Sequence, residues 1–313
     1  MAAPDHPLRA RLVRGEVILL DGAMGTELDR RGVATPLPLW SAAALVGAPE
    51  VVRAVHEDYI RAGADVIVTN TFRTTPRTMR RAGRPPEEAE RLTRLAVTLA
   101  REARDAATEG AGTLAGAARD VWIAGAMAPL EDCYRPDLAP PPSEAAAEHA
   151  AQAALLAGAG ADLLLVETMN TIAEAVEAAK AARATGLPFL VSFIPRSDRE
   201  IYGGEALEEG VRAVDALGPD AILVNCVPAE TAERCLEVLA RATRRPIGCY
   251  PNAGHPDFDR GTWRHDDETT PERFAAHAGT WIRHGALIVG GCCGTGPGHT
   301  RALREALPPV LVE

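Results

Sequence analysis

The sequence predicts a single α/β domain of the TIM (β/α)8 barrel class, spanning residues 1–313 with the barrel proper at about 15–308. Three observations predict it: eight short apolar runs, helical stretches between them, and a length sufficient for eight βα units. The runs lack strict alternation, as expected of parallel strands buried on both faces. They are Val17–Leu20, Asp65–Thr69, Val121–Gly125, Asp162–Val166, Phe189–Phe193, Ala221–Val224, Ile247–Tyr250 and Ala286–Val289.

Amphipathic stretches between these runs are predicted to be helices. Gly63, Gly160 and Gly218 each stand just before a predicted strand, where glycine ends a helix. The predicted helices include Pro49–Ala62, Pro86–Ala107, Ser143–Gly158, Thr171–Thr185, Ala229–Ala242 and Pro271–His284. A doubly wound open sheet is the alternative fold. The barrel is preferred because polar residues follow many different strands and not one switch point.

Composition restricts the class of partner. The chain carries a net charge of -10 and has no basic run, so nucleic acid is not expected to bind. The most apolar window, Ala150–Val166, contains Gln152 and Asp162, so no membrane span is predicted. The first residues do not resemble a signal peptide, and six cysteines are then expected to be free thiols in the cytoplasm.

Polar residues stand at the C-terminal ends of the predicted strands, where a barrel places its site. These positions hold acids, amides and three of the six cysteines, where chance would leave mostly loop formers. They are Asp21, Asn70, Thr71, Glu167, Asn225, Cys226, Tyr250, Cys292 and Cys293.

The adjacent thiols of Cys292 and Cys293 indicate a metal site. Neighbouring residues of a strand point to opposite faces, but the flanking glycines allow a bend that brings two sulfurs together. Cys226, at the end of strand six, supplies a third sulfur. Three thiolates with one open position predict a reactive Zn²⁺ site. A vicinal disulfide or a set of core thiols is the alternative.

The predicted ligands favour chemistry on sulfur. Zn²⁺ with three thiolates has a formal charge of -1, which suits a bound thiol better than the activation of water. Asp21 and Glu167 are placed to pair with an ammonium group, and amides of the turn at residues 22–25 are placed to bind a carboxylate. Ammonium, carboxylate and thiol together describe an amino-acid thiol, of which homocysteine is the simplest candidate.

The remaining cysteines are expected to be structural. Cys235 falls within a predicted helix and Cys249 within strand seven, so both are predicted in the core. Cys133 lies in the proline-rich loop Ala128–Pro142, which either shapes the rim of the site or is a surface detour.

The chain resembles the homocysteine S-methyltransferases in motifs that run in order from strand one to strand eight. The matching stretches are Asp21-Gly22-Ala23-Met24-Gly25-Thr26-Glu27-Leu28, Thr69-Asn70-Thr71-Phe72, Glu167-Thr168-Met169, Asn225-Cys226, Tyr250-Pro251-Asn252-Ala253-Gly254 and Gly290-Gly291-Cys292-Cys293-Gly294-Thr295. The resemblance implies a zinc-dependent barrel that methylates homocysteine to methionine.

The resemblance also implies roles for individual residues. Cys226, Cys292 and Cys293 match the family's zinc ligands, and Asp21 and Glu167 match acids that hold the substrate amino group. Asn70, Thr71 and Asn225 match other positions of the pocket. A sulfonium donor, S-methylmethionine or S-adenosylmethionine, fits electrostatically because its positive charge disappears as the methyl group moves to an anionic centre.

The chain departs from the family's pattern between Met127 and Pro142 and at His255–Phe258, where the donor is expected to enter. Betaine, or a methyl group carried by a separate corrinoid protein, is therefore the alternative donor. A zinc- or thiol-binding protein without turnover is the alternative function.

Overall fold

The structure is a computed structural model that describes residues 6–109, 120–257, 262–264 and 269–307. Eight parallel strands form one sheet in the order β1-β10-β7-β6-β5-β4-β3-β2, and β8 and β9 form a separate antiparallel hairpin. The strands are β1 (Ile18–Leu19), β2 (Val66–Val68), β3 (Trp122–Met127), β4 (Leu163–Met169), β5 (Phe189–Phe193), β6 (Ala221–Pro228), β7 (Ile247–Asn252), β8 (His255–Asp257), β9 (Thr262–Arg264) and β10 (Ala286–Val289).

The sheet closes on itself, which confirms the predicted barrel. Ile18 of β1 pairs in parallel with Ile288 of β10, so the first and last strands of the barrel are neighbours. A parallel bridge between Leu20 and Val66 joins β1 to β2. The doubly wound alternative is wrong, because an open sheet would leave β1 without a partner on one of these sides.

Four strands extend further than predicted: β3, β4, β6 and β7. Glu167, Asn225 and Cys226 consequently lie within their strands and not after them. The register shifts between Val166 and Met169 in β4 and between Asn225 and Pro228 in β6, as a β-bulge requires. The bulges let pairing continue past the polar residues at which the apolar runs end.

Helices cover the outside of the barrel, and those predicted are present with ends shifted by up to two residues, with one exception. The predicted helix Pro271–His284 is two helices, because the N–H of His277 bonds to Phe274 O, only three residues back, and tightens the turn. The helices are α1 (Pro7–Val13), α2 (Gly25–Arg30), α3 (Ala44–Gly47), α4 (Pro49–Ala62), α5 (Pro76–Arg81), α6 (Glu88–Glu109), α7 (Pro142–Ala159), α8 (Ile172–Ala184), α9 (Leu207–Asp215), α10 (Ala229–Ala242), α11 (Pro271–Ala276), α12 (Ala278–Arg283) and α13 (Pro297–Ala306).

Apolar side chains fill the barrel from its N-terminal end. Leu8 and Leu12 of α1 pack with inward residues such as Leu20, Leu165 and Leu223. A second apolar layer separates the strands from the surrounding helices. The interior is therefore closed at the bottom, and the polar strand ends are left at the opposite, C-terminal end. Within the described ranges, no helix is both long and apolar enough to cross a bilayer.

Candidate metal and substrate site

The structure brings together the three cysteines predicted to bind metal. The Sγ atoms of Cys226, Cys292 and Cys293 all lie within 4.8 Å of one another at the C-terminal end of the barrel. Tetrahedral Zn²⁺ with bonds of about 2.3 Å requires sulfur separations of about 3.8 Å, so a small contraction completes the site. All six cysteines are free thiols in the structure, which therefore has no vicinal disulfide between Cys292 and Cys293.

A β-bulge turns Cys226 into the site. Along β6, Ala221 and Leu223 face the barrel interior, while Ile222 and Val224 face the outer layer. Regular alternation would therefore place Cys226 outside. Its φ of +61° lies in the left-handed region and changes the direction of the chain, so that Cys226 joins the sulfur cluster and Val227 packs outside. Thr168, directly after Glu167 in β4, has the same conformation with φ +60°.

The loop that carries Cys292 and Cys293 is held on two sides. The backbone N–H of Cys292 donates to Pro251 O at 2.7 Å, and the carbonyl of Cys293 accepts from Ala253 N at 2.9 Å. The N–H of Gly294 donates to Thr26 Oγ1 at 2.9 Å. The end of β7 and the residue after it therefore hold the backbone of both cysteines, and α2 holds the next residue, Gly294.

The three thiols share charge unevenly in the metal-free protein. Hydrogen bonds from Cys292 and Cys293 hold the pKa of Cys226 well below its usual value. The same contacts to Cys226 raise the pKa values of Cys292 and Cys293 well above theirs. Cys226 is therefore the thiol of the cluster that loses its proton most readily, and a soft cation that binds all three sulfurs would displace the remaining protons.

Two buried carboxylates lie at the same end of the barrel. Asp21 Oδ2 accepts from the backbone N–H of Val68 at 2.9 Å, and Tyr250 Oη donates to Glu167 Oε2 at 3.5 Å. Burial, with a contribution from Glu167, raises the pKa of Asp21 well above its usual value. Burial and the charge of Cys226 raise the pKa of Glu167 to about 8. A nearby cation would stabilise the ionised form of both acids, so the pair is suited to bind an ammonium group.

The three remaining predicted positions mainly support this arrangement. Asn225 accepts at Oδ1 from Ser192 Oγ at 2.7 Å and donates from Nδ2 to Thr168 Oγ1 at 2.8 Å, which ties three strands together. Thr71 Oγ1 donates to Ala126 O at 2.8 Å. Asn70 Nδ2 donates to Ser41 O at 2.9 Å, and its buried Oδ1 has no hydrogen-bond partner within the described residues.

Tyr134 is a site residue that was not predicted from the sequence. Its hydroxyl lies 3.3 Å from Cys226 Sγ, and its ring contacts Tyr202 edge to face with centroids 5.3 Å apart. Asn170 Nδ2 donates to Cys133 O at 3.0 Å and holds the adjacent residue of the loop. The proline-rich loop Ala128–Pro142, called the rim loop below, therefore shapes the rim of the site. The sequence shows only that this loop contains a tyrosine, and the folded loop brings its hydroxyl to the sulfur.

The other cysteines lie outside the cluster. Cys235 and Cys249 are fully buried in the layer between strands and helices, as expected of core residues. Cys133, within the rim loop, is buried, and burial together with the charge of Cys226 raises the pKa of its thiol.

Comparison with known proteins places these features in one family. The sequence profile described as homocysteine S-methyltransferase matches residues 18–307. The homocysteine S-methyltransferase of Escherichia coli (strain K12) is 35% identical, over 96% of this chain and 98% of that protein. The homocysteine S-methyltransferase YbgG of Bacillus subtilis (strain 168) is 32% identical, over 93% and 95%.

Solved structures give the same answer. The metallated form of the Escherichia coli homocysteine methyltransferase MmuM is similar with a TM-score of 0.83 at 32% identity, covering 96% of this chain and 99% of that one. Its apo form has a TM-score of 0.76. Matches over nearly the whole length, together with a thiol cluster at the barrel mouth, show that the chain belongs to the homocysteine S-methyltransferase family.

Proposed function

We propose that this protein transfers a methyl group from a sulfonium donor to the thiol of homocysteine and yields methionine, with Zn²⁺ held by Cys226, Cys292 and Cys293. The observation that carries the proposal is the convergence of three sulfurs at the barrel end that also holds two buried carboxylates. The family membership and the names of its relatives support the acceptor.

The donor atoms fit zinc. Three thiolates are soft ligands of the kind that tetrahedral Zn²⁺ takes, and the similar MmuM has a metallated form. When bound, Zn²⁺ supplies a position at which a thiol loses its proton while its sulfur remains nucleophilic. The metal would otherwise be a poor activator of water, because three thiolates leave it with a negative formal charge.

The chain's own residues orient the acceptor. Asp21 and Glu167 bind the homocysteine ammonium, whose charge lowers their raised pKa values and draws both into the ionised form. Asn225 Nδ2 lies 3.8 Å from Cys292 Sγ, and Asn225 is hydrogen-bonded to β4 and β5. It therefore holds the carboxylates and the sulfurs in fixed positions relative to one another. A fixed acceptor converts the reaction into an in-line displacement between two positioned groups.

The proposed donor is S-methylmethionine or S-adenosylmethionine. The acceptor sulfur forms a bond to the methyl carbon as the carbon–sulfonium bond breaks, and the donor leaves as a neutral thioether. The anionic cluster attracts the cationic donor, and the opposite charges of donor and acceptor cancel as the methyl group moves, a change that poorly solvated surroundings favour. Betaine or a methylated corrinoid protein remains the alternative donor. We also place the protein in the cytoplasm, because its six free thiols suit a reducing compartment.

A donor panel with metal analysis tests the proposal. Purified protein is expected to bind about one Zn²⁺ per chain and to form methionine from homocysteine and a sulfonium donor. Changing Cys226, Cys292 or Cys293 to alanine should abolish both, whereas Cys249→Ala, a buried thiol outside the cluster, should retain both. Bound zinc without methionine from any donor would leave only a non-catalytic zinc-binding protein.

A further inference from the structure

Arg73 lies at the same end of the barrel as the site, five residues beyond the end of β2. Its guanidinium stacks over the ring of Phe72, with 5.4 Å from Cζ to the ring centroid. Nη1 donates to Glu131 O of the rim loop at 2.9 Å. The side chain is half-buried, and its buried Nε has no hydrogen-bond partner among the residues that the structure describes.

The charge of Arg73 has no counterion in the described part of the chain. Every other described arginine that is buried or half-buried has a carboxylate oxygen within 4.0 Å. These pairs are Arg9–Asp220, Arg11–Glu16, Arg31–Asp58, Arg77–Glu148, Arg84–Glu88, Arg104–Asp162, Arg245–Asp215 and Arg304–Asp65. A desolvated charge without a partner is costly, so this arginine is poised for an anion that is not part of the chain.

The acidic residue whose backbone Arg73 contacts is itself paired with other arginines. Arg73 contacts the backbone carbonyl of Glu131, while the carboxylate of Glu131 pairs with Arg77 and Arg81. These two contacts neutralise that carboxylate, which forms no ion pair with Arg73. The rim loop therefore fixes Arg73 through a neutral oxygen and leaves its charge for a ligand.

Arg73 is connected to the site through the rim loop. Glu131 O accepts from Arg73 Nη1 at 2.9 Å, and three residues further along the loop the hydroxyl of Tyr134 lies 3.3 Å from Cys226 Sγ. The guanidinium, the rim loop and the sulfur cluster are thus connected through adjacent residues.

We propose that Arg73 binds the carboxylate of an amino-acid substrate at the mouth of the site. A guanidinium matches a carboxylate with two parallel hydrogen bonds, for which Nε and one Nη are the usual pair. This inference rests on the proposed function, in which homocysteine and S-methylmethionine each carry such a carboxylate. The chemistry is the same for both, and the experiment separates them.

The experiment compares Arg73→Gln with Arg80→Gln, an equal change of charge on the exposed face of α5. The four ligands are homocysteine, S-methylmethionine and their decarboxylated analogues, 3-aminopropanethiol and 3-aminopropyl dimethylsulfonium. Dissociation constants on zinc-loaded protein come from calorimetry, and KM and kcat come from methyl transfer.

Arg73→Gln is expected to weaken one of the two carboxylate-bearing ligands by about 10- to 100-fold, in Kd and KM, with kcat little changed. Its binding of the matching decarboxylated analogue should equal that of the parent and of Arg80→Gln. Weaker binding of homocysteine would show that Arg73 binds the carboxylate of the acceptor. Weaker binding of S-methylmethionine would show that it binds the carboxylate of the donor.

Equal losses for a substrate and its analogue, or no loss for either substrate, would overturn the proposal, as would a parent protein that binds neither. Turnover by the parent tests the methyltransferase function separately, because the Kd ratios need no reaction.

Discussion

Replacing Gly294 with alanine tests how tightly the loop of Cys292 and Cys293 is held. Gly294 has φ +81°, a conformation that costs an L-residue about 1 kcal/mol. An added Cβ would also lie inside van der Waals contact of Ala253 O and Trp263 Nε1, which are hydrogen-bonded to each other at 2.7 Å. The loop or the end of β7 must therefore move.

The movement disturbs at least two hydrogen bonds, Trp263 to Ala253 and Ala253 to Cys293, each worth about 1 kcal/mol. We expect Gly294→Ala to lower the free energy of unfolding by about 3 kcal/mol. Because the shift reaches Cys293, a proposed metal ligand, zinc affinity should fall by about 10- to 100-fold, as is usual when the support of a ligand is lost.

Gly285→Ala is the matched control at the opposite end of β10. Its φ of +91° carries the same backbone cost, but its Cβ would meet only Ile247 Cδ1 at 3.9 Å. This variant should lose about 1 kcal/mol and keep the parent's zinc affinity. Urea denaturation measures stability and competition with a chromogenic chelator measures affinity. Equal stability losses in the two variants, with zinc held as tightly as in the parent, would refute the reasoning.

Three further changes test the site. Tyr134→Phe removes the hydroxyl beside Cys226 and should weaken zinc binding by about 5-fold in chelator competition, while Tyr202→Phe keeps the parent's affinity; equal affinities would contradict a role for that hydroxyl. Glu167 has a pKa near 8 in the folded protein, so it costs metal-free stability progressively as pH rises from about 4.5 through 8. The free energy of unfolding of Glu167→Gln should therefore exceed the parent's by on the order of a few kcal/mol at pH 9 and by little at pH 4.5. Urea midpoints whose difference does not change between these two pH values would disprove the buried-acid assignment. Asn225→Ala should lose about 2 to 4 kcal/mol in urea unfolding, because it leaves buried hydrogen-bond partners unsatisfied; a loss below about 1 kcal/mol would show that Asn225 is no brace.

The fold was largely predictable because its signals are local. Each barrel strand is a run of apolar residues buried on both faces, and glycines such as Gly63 and Gly160 mark helix ends with positive φ. Helix α9 was missed because Gly210 interrupts it and its N-cap, Ala206, has no side-chain hydrogen bond. Helix α13 begins at Pro297 after its N-cap Gly296, and Gly296-Pro297-Gly298 has the composition of a loop.

The candidate site was predictable where its residues occupy strand ends. The barrel rule places such residues at one end whatever their distance along the chain, so Cys226 could be grouped with Cys292 and Cys293. Tyr134 and Arg73 gave no comparable signal, because both belong to loops. Their positions depend on distant partners, Asn170 for the rim loop and Glu131 for the guanidinium.

The sequence by itself determined the eight strands, their parallel order and the chemistry collected at their ends, because periodicity and turn residues act over a few positions. Only the tertiary structure decided how the side chains at those ends point. The left-handed backbone of Cys226 exists because β6 shifts register against β7, and that shift depends on a strand far along the chain. The same holds for the raised pKa values of Asp21 and Glu167, which follow from burial in the assembled barrel, and for Arg73, whose guanidinium has no carboxylate partner among the residues that the structure describes.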